Sequence, residues 1–417
     1  MEQLEKHIQS MGDIALNSSR KLIKLSTRRK NRILLAMANE LNRRRETIKA
    51  ENAKDLAAAE ENRLSKAMVD RLTLTDDRID GMIQGIREVA ELKDPVGKRI
   101  WKRVRPNGLI IEKKRVPLGV VCIIFESRPN VTADAAVLCF KTSNSVILRG
   151  GKEAFYSNTA IAQALQTGGE SAGMPRGAIQ LVDTIDREAV RILVQMDDRI
   201  DVVIPRGGES LIKAVISNAT VPVLKHYKGI CNLYIDDSAD IKTATAITEN
   251  AKCQRPGVCN AIETLLVNKD IAETFLPELK TVMDKHGVEL RGCKTTQAII
   301  DCTPAVESDW SEEYLDLILA VRIVKNLRSA IEHINRYGSH HSDAIVTSNK
   351  RRGNQFLKEV DSSSVYVNAS TRFTDGAEFG MGAEMGISTD KLHARGPMGL
   401  EELTSYKYVI TGTGQIR

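Results

Sequence analysis

The chain has 417 residues, enough for two or three domains of about 150 residues each. Its net charge of +6 and its 4% of aromatic residues exclude a strongly basic, aromatic-rich nucleic-acid binder. No apolar run approaches the roughly 20 residues that span a membrane, and no secretory signal precedes the first helix pattern. We therefore expect a cytoplasmic protein with no nucleic-acid and no membrane partner. Its seven cysteines are irregularly spaced without CxxC, so neither a disulfide scaffold nor a metal site is expected.

The first third of the chain predicts helices followed by an extended arm. Residues 1–95 are helical in pattern, because apolar residues such as Ile33 and Met37 recur near helical spacing between charges. Residues 100–117 then predict a strand or hairpin with Gly108 available for the turn. An arm of this kind can pair with a neighbouring subunit.

From residue 117 onward, short apolar runs alternate with helical segments. The runs are 119–125, 145–148, 178–182 and 200–204. Strands that are apolar on both faces and alternate with helices indicate a parallel, doubly wound sheet. Strands at 230–235 and 262–267, with a helix around 270–285, suggest a second α/β domain. The glycine-rich stretch 371–400 predicts a long loop, and such loops are usually functional.

Two strand ends in the first sheet carry cations and glycine pairs. The first carries Arg149, Gly150 and Lys152, and the second carries Arg206, Gly207 and Gly208. Ligands of parallel sheets bind beyond the carboxyl ends of the strands, and free amides at a helix start suit a phosphate. A simple tight turn is the alternative for each glycine pair alone. Together the two sites favour a dinucleotide, and the extra cations favour its 2′-phosphate form.

One cysteine stands in a turn beside cations. The segment AKCQRPGVCNAIETLLV (251–267) places Cys259 just before a predicted strand, near Lys252 and Arg255. Neighbouring positive charge can lower the pKa of a thiol and make it a nucleophile. A buried structural cysteine is the alternative, and Cys253 is a neighbour open to both interpretations.

Several long segments together carry a family resemblance. They include RVPLGVVCIIFESRPNVTADAA (115–136), AKCQRPGVCNAIETLLVNKDIA (251–272) and NASTRFTDGAEFGMGAEMGISTDKLHARGPMGLE (368–401). Over nearly its whole length the chain resembles the gamma-glutamyl phosphate reductase branch of the aldehyde dehydrogenase superfamily. The resemblance implies an α/β, aldehyde dehydrogenase-like fold: two doubly wound parallel-sheet domains plus an oligomerisation arm. It assigns residues 1–228 to an NADP-binding domain and residues 229–361 to a catalytic domain. Residues 362–399 are expected to return to the NADP-binding domain or to the cleft. Residues 100–117 and 400–417 are assigned to the arm.

The resemblance also implies roles for individual residues. Cys259 matches the catalytic cysteine, and Asn130 is the expected side-chain donor to the oxyanion, beside the Cys259 backbone amide. The cofactor NADPH is expected at Arg149, Gly150, Lys152, Arg206, Gly207, Gly208 and Glu313, where Glu313 would hold the nicotinamide ribose. Arg372 and Arg255 are the candidates for binding substrate, with a structural salt bridge as the alternative for each.

The chain departs from the superfamily at one catalytic position. The general-base glutamate of the LELGGK motif has no counterpart at 224–230 (LKHYKGI). That glutamate activates water to hydrolyse a thioester, so its absence fits an enzyme in which the thioester is reduced instead. The expected activity is NADPH-dependent reduction of L-glutamyl 5-phosphate to L-glutamate 5-semialdehyde, the second step of proline synthesis from glutamate. An oxidising aldehyde dehydrogenase is the alternative. A homo-oligomer is expected, and a transient complex with glutamate 5-kinase is a possible partnership.

Overall fold

The computed structural model describes residues 2–225 and 228–417. Within the first range, it describes the backbone of Ala67 but not its side chain. The chain divides into two units. The first comprises residues 2–225, Gly380–Gly386 and Met398–Arg417, and the second comprises residues 228–379 and Ile387–Pro397. No helix among the described residues is long and apolar enough to cross a membrane.

The described helices lie mainly in the first half of the chain. In order they are α1 (Glu2–Leu22), α2 (Thr27–Arg43), α3 (Arg45–Glu61), α4 (Lys66–Leu72), α5 (Asp76–Glu91), α6 (Asn130–Lys141), α7 (Phe155–Ser171), α8 (Glu188–Leu193), α9 (Glu209–Asn218), α10 (Ile241–Cys253), α11 (Ala272–Lys285), α12 (Lys294–Gln297), α13 (Leu327–Tyr337) and α14 (Lys350–Glu359).

The described strands form four sheets. In chain order they are β1 (Arg99–Val104), β2 (Ile110–Pro117), β3 (Val120–Phe125), β4 (Ser145–Arg149), β5 (Ile179–Leu181), β6 (Val202–Arg206), β7 (Cys231–Ile235), β8 (Ile262–Asn268), β9 (Glu289–Gly292), β10 (Thr303–Pro304), β11 (Ile318–Val324), β12 (Ser342–Val346), β13 (Ser364–Val367), β14 (Ile387–Ser388), β15 (Gly396–Pro397) and β16 (Thr404–Thr411).

The first unit contains a parallel sheet with strand order β5-β4-β3-β6. Every residue of β3 is buried, as a central strand covered on both faces requires. Helix α2 begins at a serine cap, since Ser26 Oγ accepts from the Arg29 backbone N–H, and it buries Ile33, Met37 and Leu41 along one face. The four apolar runs between 119 and 204 therefore do form parallel strands, and the α/β fold class is confirmed.

The predicted arm is a separate antiparallel sheet in the first unit. Its order is β1-β2-β16, so the hairpin near the start of the arm pairs with the C-terminal strand. Gly108 turns the hairpin with a φ of +82°, a conformation that glycine adopts without a Cβ penalty. Whether copies of the chain associate through this sheet stays a prediction.

The second unit contains a seven-stranded parallel sheet with order β10-β9-β11-β8-β7-β12-β13. The sequence analysis expected 362–399 to return to the first domain or to the cleft. A return to the first domain is wrong for most of the stretch, because β13 pairs with β12 and extends the second unit's sheet. Residues 362–379 and 387–397 therefore lie in the second unit, and only 380–386 and 398–399 lie in the first. Backbone pairing decided this placement, and the glycine-rich composition did not reveal it.

Candidate active site

Cys259 lies in the turn that follows α10 and precedes β8. Its backbone is fixed from behind by β7, because the buried Cys231 thiol donates a hydrogen bond to the Cys259 carbonyl at 3.2 Å. The Cys231 thiol also lies 3.6 Å from His341 Nδ1. Burial raises the pKa of Cys231 well above its ordinary value, so this second thiol is kept protonated. Cys259 itself is half-buried, so its surroundings still allow a reactant to approach.

The backbone of Gly229 packs against the backbone of Cys259. A Cβ added at Gly229 would lie 2.1 Å from the Cys259 carbonyl oxygen and 2.6 Å from its Cα. Both atoms belong to the backbone and cannot rotate away, so only glycine fits at this position. The Gly229 N–H donates to Glu313 Oε1 at 2.8 Å, which holds the glycine from its other side. The sequence analysis missed Gly229, and a glycine just before a buried strand was the only available signal.

The residue after Cys259 is tied to the segment 370–374. Buried Asn260 donates through its side-chain Nδ2 to the Thr374 backbone carbonyl at 2.9 Å, and the Asn260 backbone carbonyl accepts from Thr371 Oγ1 at 2.7 Å. The Arg372 guanidinium donates to Asn260 Oδ1 and, at 3.1 Å, to Gln254 Oε1. Arg372 therefore lies beside the Cys259 turn, although it is more than 110 residues away in sequence.

Two arginines place positive charge around Cys259. Burial lowers the pKa of Arg372, and the neighbouring Arg255 guanidinium acts in the same direction, while the charge of Cys259 opposes both. Arg255 is exposed and makes no hydrogen bond or ion pair within the described part of the chain. The structure thus places Arg255 and Cys259 where their charges act on Arg372. A structural salt bridge, the alternative for both arginines, is present for neither among the described residues.

At the first strand end of the other unit, Arg149 turns back onto its own loop. Its guanidinium donates to the carbonyls of Gly150 at 2.9 Å and Ile185 at 3.1 Å, and its buried Nε has no hydrogen-bond partner among the described residues. Gly150 is needed for packing, because a Cβ there would lie 2.1 Å from Asn158 Nδ2. Lys152 is exposed, and its ammonium makes no ion pair with any described residue.

At the second strand end, a carboxylate occupies the start of α9. Glu126 Oε2 accepts from the Gly208 N–H at 2.8 Å, and a Cβ at Gly207 would lie 2.3 Å from the same oxygen. Arg206 is half-buried, and its guanidinium has no hydrogen-bond partner within residues 2–225 and 228–417. Sequence reasoning missed Glu126, which here takes the amide expected to meet a phosphate.

Asn130 is the first residue of α6 and is exposed. Its Nδ2 donates to Asp134 Oδ2 at 2.9 Å, which uses one of the two amide hydrogens and leaves one for a ligand. Burial raises the pKa of Asp134 to about 6, and the Arg206 guanidinium opposes this rise. The role of Asn130 as an oxyanion donor stays a prediction.

Comparison with known proteins decides the family. The model of the aldehyde dehydrogenase family matches residues 2–297. The gamma-glutamyl phosphate reductase of Moorella thermoacetica is 56% identical over 411 residues, covering 98% of each chain. The crystal structure of the gamma-glutamyl phosphate reductase from Thermotoga maritima superposes with a TM-score of 0.97 at 45% identity, covering 98% of this chain and 99% of that one. The chain belongs to the gamma-glutamyl phosphate reductases of the aldehyde dehydrogenase family.

Membership of the gamma-glutamyl phosphate reductases confirms the resemblance found in the sequence. It also implies a nicotinamide cofactor. The two strand ends of the first unit fit such a phosphate-bearing group, since they offer the unpaired cations of Lys152 and Arg206 and the orphaned buried Nε of Arg149. Carboxylates also lie there and oppose an anion: Glu153 and Asp186 act on Arg149, and Glu126 would have to leave the α9 amide.

The remaining positions are Glu313, the stretch 224–230 and Arg187. Glu313, expected at the nicotinamide ribose, accepts the Gly229 N–H in the structure, and its role toward a cofactor stays a prediction. Of the stretch 224–230, where the general-base glutamate is missing, residues 226 and 227 lie outside the described residues. Arg187 was missed by the sequence analysis, although it follows the end of β5 and its charge acts on Arg149.

Proposed function

We propose that this protein reduces L-glutamyl 5-phosphate with NADPH to L-glutamate 5-semialdehyde and phosphate, the second step of proline synthesis from glutamate. The observation that carries the proposal is the Cys259 turn: a half-buried thiol whose backbone is held by Cys231 and Gly229 and whose surroundings hold Arg372 and Arg255. The second unit is the proposed catalytic domain, and the first is the proposed NADP-binding domain.

The proposed reaction begins at the Cys259 sulfur. The thiolate attacks the γ-carbonyl carbon, and the resulting oxyanion accepts hydrogen bonds from the proposed donors, the Cys259 backbone N–H and the Asn130 amide. Collapse of the tetrahedral intermediate breaks the bond to phosphate and leaves a thioester on Cys259. When bound, the reduced nicotinamide supplies the hydride that converts this thioester to the aldehyde level. The thiohemiacetal at Cys259 then breaks down, releases the semialdehyde and returns the sulfur to its starting state.

The two arginines are proposed to bind the anionic groups of the substrate. A guanidinium can donate two parallel hydrogen bonds to a carboxylate or phosphate. Arg255 is available for such a pair because it is exposed and unpaired among the described residues. Arg372 is already held by Gln254 and Asn260, which preorganises its guanidinium beside the thiol.

NADP is proposed over NAD because the first strand end carries positive charge. Lys152, Arg149 and Arg187 supply cations there, and the 2′-phosphate of NADP is the group that needs them. Lys152→Glu should shift the preference for NADP+ over NAD+ toward NAD+ by at least tenfold in kcat/KM. A charge reversal at the exposed Lys24 of the same unit is the matched control. An unchanged preference in Lys152→Glu would refute this assignment.

The central experiment is the reverse reaction with glutamate semialdehyde, followed as NADP+ reduction with phosphate, with arsenate, or with neither. The proposed enzyme requires one of the two anions, because the thioester is released by phosphorolysis or arsenolysis. An oxidising aldehyde dehydrogenase would instead release glutamate without either anion. Cys259→Ala should abolish turnover with an unchanged melting temperature, while Cys253→Ala should retain it. Full turnover in Cys259→Ala would remove Cys259 from its role.

The β1-β2-β16 sheet is proposed as the surface through which copies of the chain associate. Apolar side chains are exposed on it, with Val104 64%, Ile410 60% and Tyr408 55% accessible. Sedimentation of Val104→Glu should show a smaller species than the unaltered chain. A complex with glutamate 5-kinase and the cytoplasmic location stay predictions.

A further inference from the structure

A buried ion pair spans the two ends of the Cys259 turn. Lys252 lies at the end of α10 and Glu263 lies at the start of β8, and their charged groups meet at 2.6 Å. Both side chains are 0% exposed. The eight-residue segment between α10 and β8, 254–261, carries Cys259. The pair therefore closes the segment at its base.

The burial of this pair needs an explanation other than stability. Taking two charges out of water costs several kcal/mol per ion, and apolar residues of similar volume are often as stabilising. Burial raises the pKa of Glu263 to about 7, and the Lys252 ammonium opposes the rise. A buried pair of this kind can instead select one geometry, since each charge can be satisfied only where its partner lies.

The same carboxylate also reaches the segment that supports Gly229. Its second oxygen, Glu263 Oε1, accepts from the Leu315 N–H at 3.2 Å. Leu315 adopts a φ of +54°, an unusual conformation for leucine that this contact helps to hold. Two residues earlier, Glu313 accepts the Gly229 N–H, and Gly229 packs on the Cys259 backbone. The ion pair, Leu315 and Glu313 thus form one continuous support around the turn.

We propose that Lys252 and Glu263 are positioning residues, which fix the backbone of Cys259 by joining the ends of its turn and by holding the segment 313–315 behind Gly229. In this proposal both side chains act through the backbone of the turn. The proposal rests on the proposed role of Cys259. It gives Lys252, which the sequence analysis named only as a cation near the thiol, a positioning role, and it adds Glu263, for which the sequence analysis gave no role.

The test replaces both charges with apolar side chains of similar size, Lys252→Met together with Glu263→Leu. The phosphate-dependent reverse reaction is measured per folded molecule, beside the unaltered chain. We expect kcat to fall by about tenfold or more and the KM for glutamate semialdehyde to change by less than about threefold, because misplacement of a reacting group by about 1 Å costs up to 100-fold. A merely structural pair would lower the melting temperature and leave kcat per folded molecule unchanged.

Two further variants make the result decisive. Lys252→Met with Glu263→Gln keeps an acceptor for the Leu315 N–H, and it replaces the first variant if that one does not fold. The matched control is a second deeply buried pair, Lys30 with Asp94 in the first unit at 2.5 Å, replaced by Met and Leu. Unchanged kcat in the Lys252 variants, or an equal loss in the control pair, would overturn the proposal. Inactivity of the unaltered chain would instead refute the proposed function.

Discussion

The contact between Gly229 and Cys259 makes the sharpest prediction for catalysis. In Gly229→Ala the new Cβ would lie 2.1 Å from the Cys259 carbonyl oxygen and 2.6 to 2.7 Å from its Cα and carbonyl carbon. Ordinary contacts of this kind begin near 3.4 Å, so the two backbones must separate by about 1 Å. A displacement of about 1 Å at a reacting group costs about 100-fold in rate, or about 2.7 kcal/mol. We therefore expect kcat to fall by about two orders of magnitude.

The assay for Gly229→Ala is the phosphate-dependent reverse reaction, with the melting temperature measured on the same samples. Gly257→Ala is the matched control, because Gly257 lies in the same turn and its added Cβ would meet only the Leu315 carbonyl at 3.6 Å. Neither glycine has a positive φ, so backbone strain does not distinguish them. Activity near that of the unaltered chain in Gly229→Ala, or an equal loss in Gly257→Ala, would show that this contact does not place the nucleophile.

Two other groups give measurable predictions. Glu126→Gln should tighten NADP+ binding several-fold, or about 1 kcal/mol, because it removes a negative charge from the Gly208 amide at the start of α9. Calorimetry measures NADP+ binding to this variant and to the control Glu209→Gln, which removes a charge from the same helix turn without removing the contact to Gly208. Equal changes in affinity in the two variants would contradict the prediction. Buried Asp343 accepts from the backbone N–H of Asn232 at 2.8 Å, and burial raises its pKa to about 6. The folded protein therefore holds a proton there that the unfolded chain has released, so stability falls as the pH rises through this range. Urea titrations measure the free energy of unfolding of the unaltered chain and of Asp343→Asn at different pH values. Between about pH 4 and pH 8 the unaltered chain should lose about 2 kcal/mol more than the variant. If the free energy of unfolding depends on pH in the same way in both proteins, Asp343 titrates normally.

The sequence alone was sufficient for the fold class, and it pointed to Cys259 as the proposed nucleophile. Local patterns carry this information, because a central parallel strand must be apolar on both faces and a reactive thiol needs a turn and nearby cations. The motif around Cys259 also led to the family, which the comparisons confirmed. Arg372 was found only through the family motif, since no spacing rule connects it with a cysteine 113 residues earlier.

The surroundings of Cys259 were decided by tertiary structure. Gly229 stands just before a strand and Cys231 and Glu263 stand within strands, and nothing local in the sequence assigns any of them a contact with the Cys259 turn. Their contacts to the Cys259 turn arise because parallel strands β7 and β8 lie side by side and bring distant residues to one edge. The same holds for Glu126, whose carboxylate reaches Gly208 across 82 residues. Hydrophobic periodicity specifies which residues are buried, whereas only the pairing order of the strands specifies which buried groups meet.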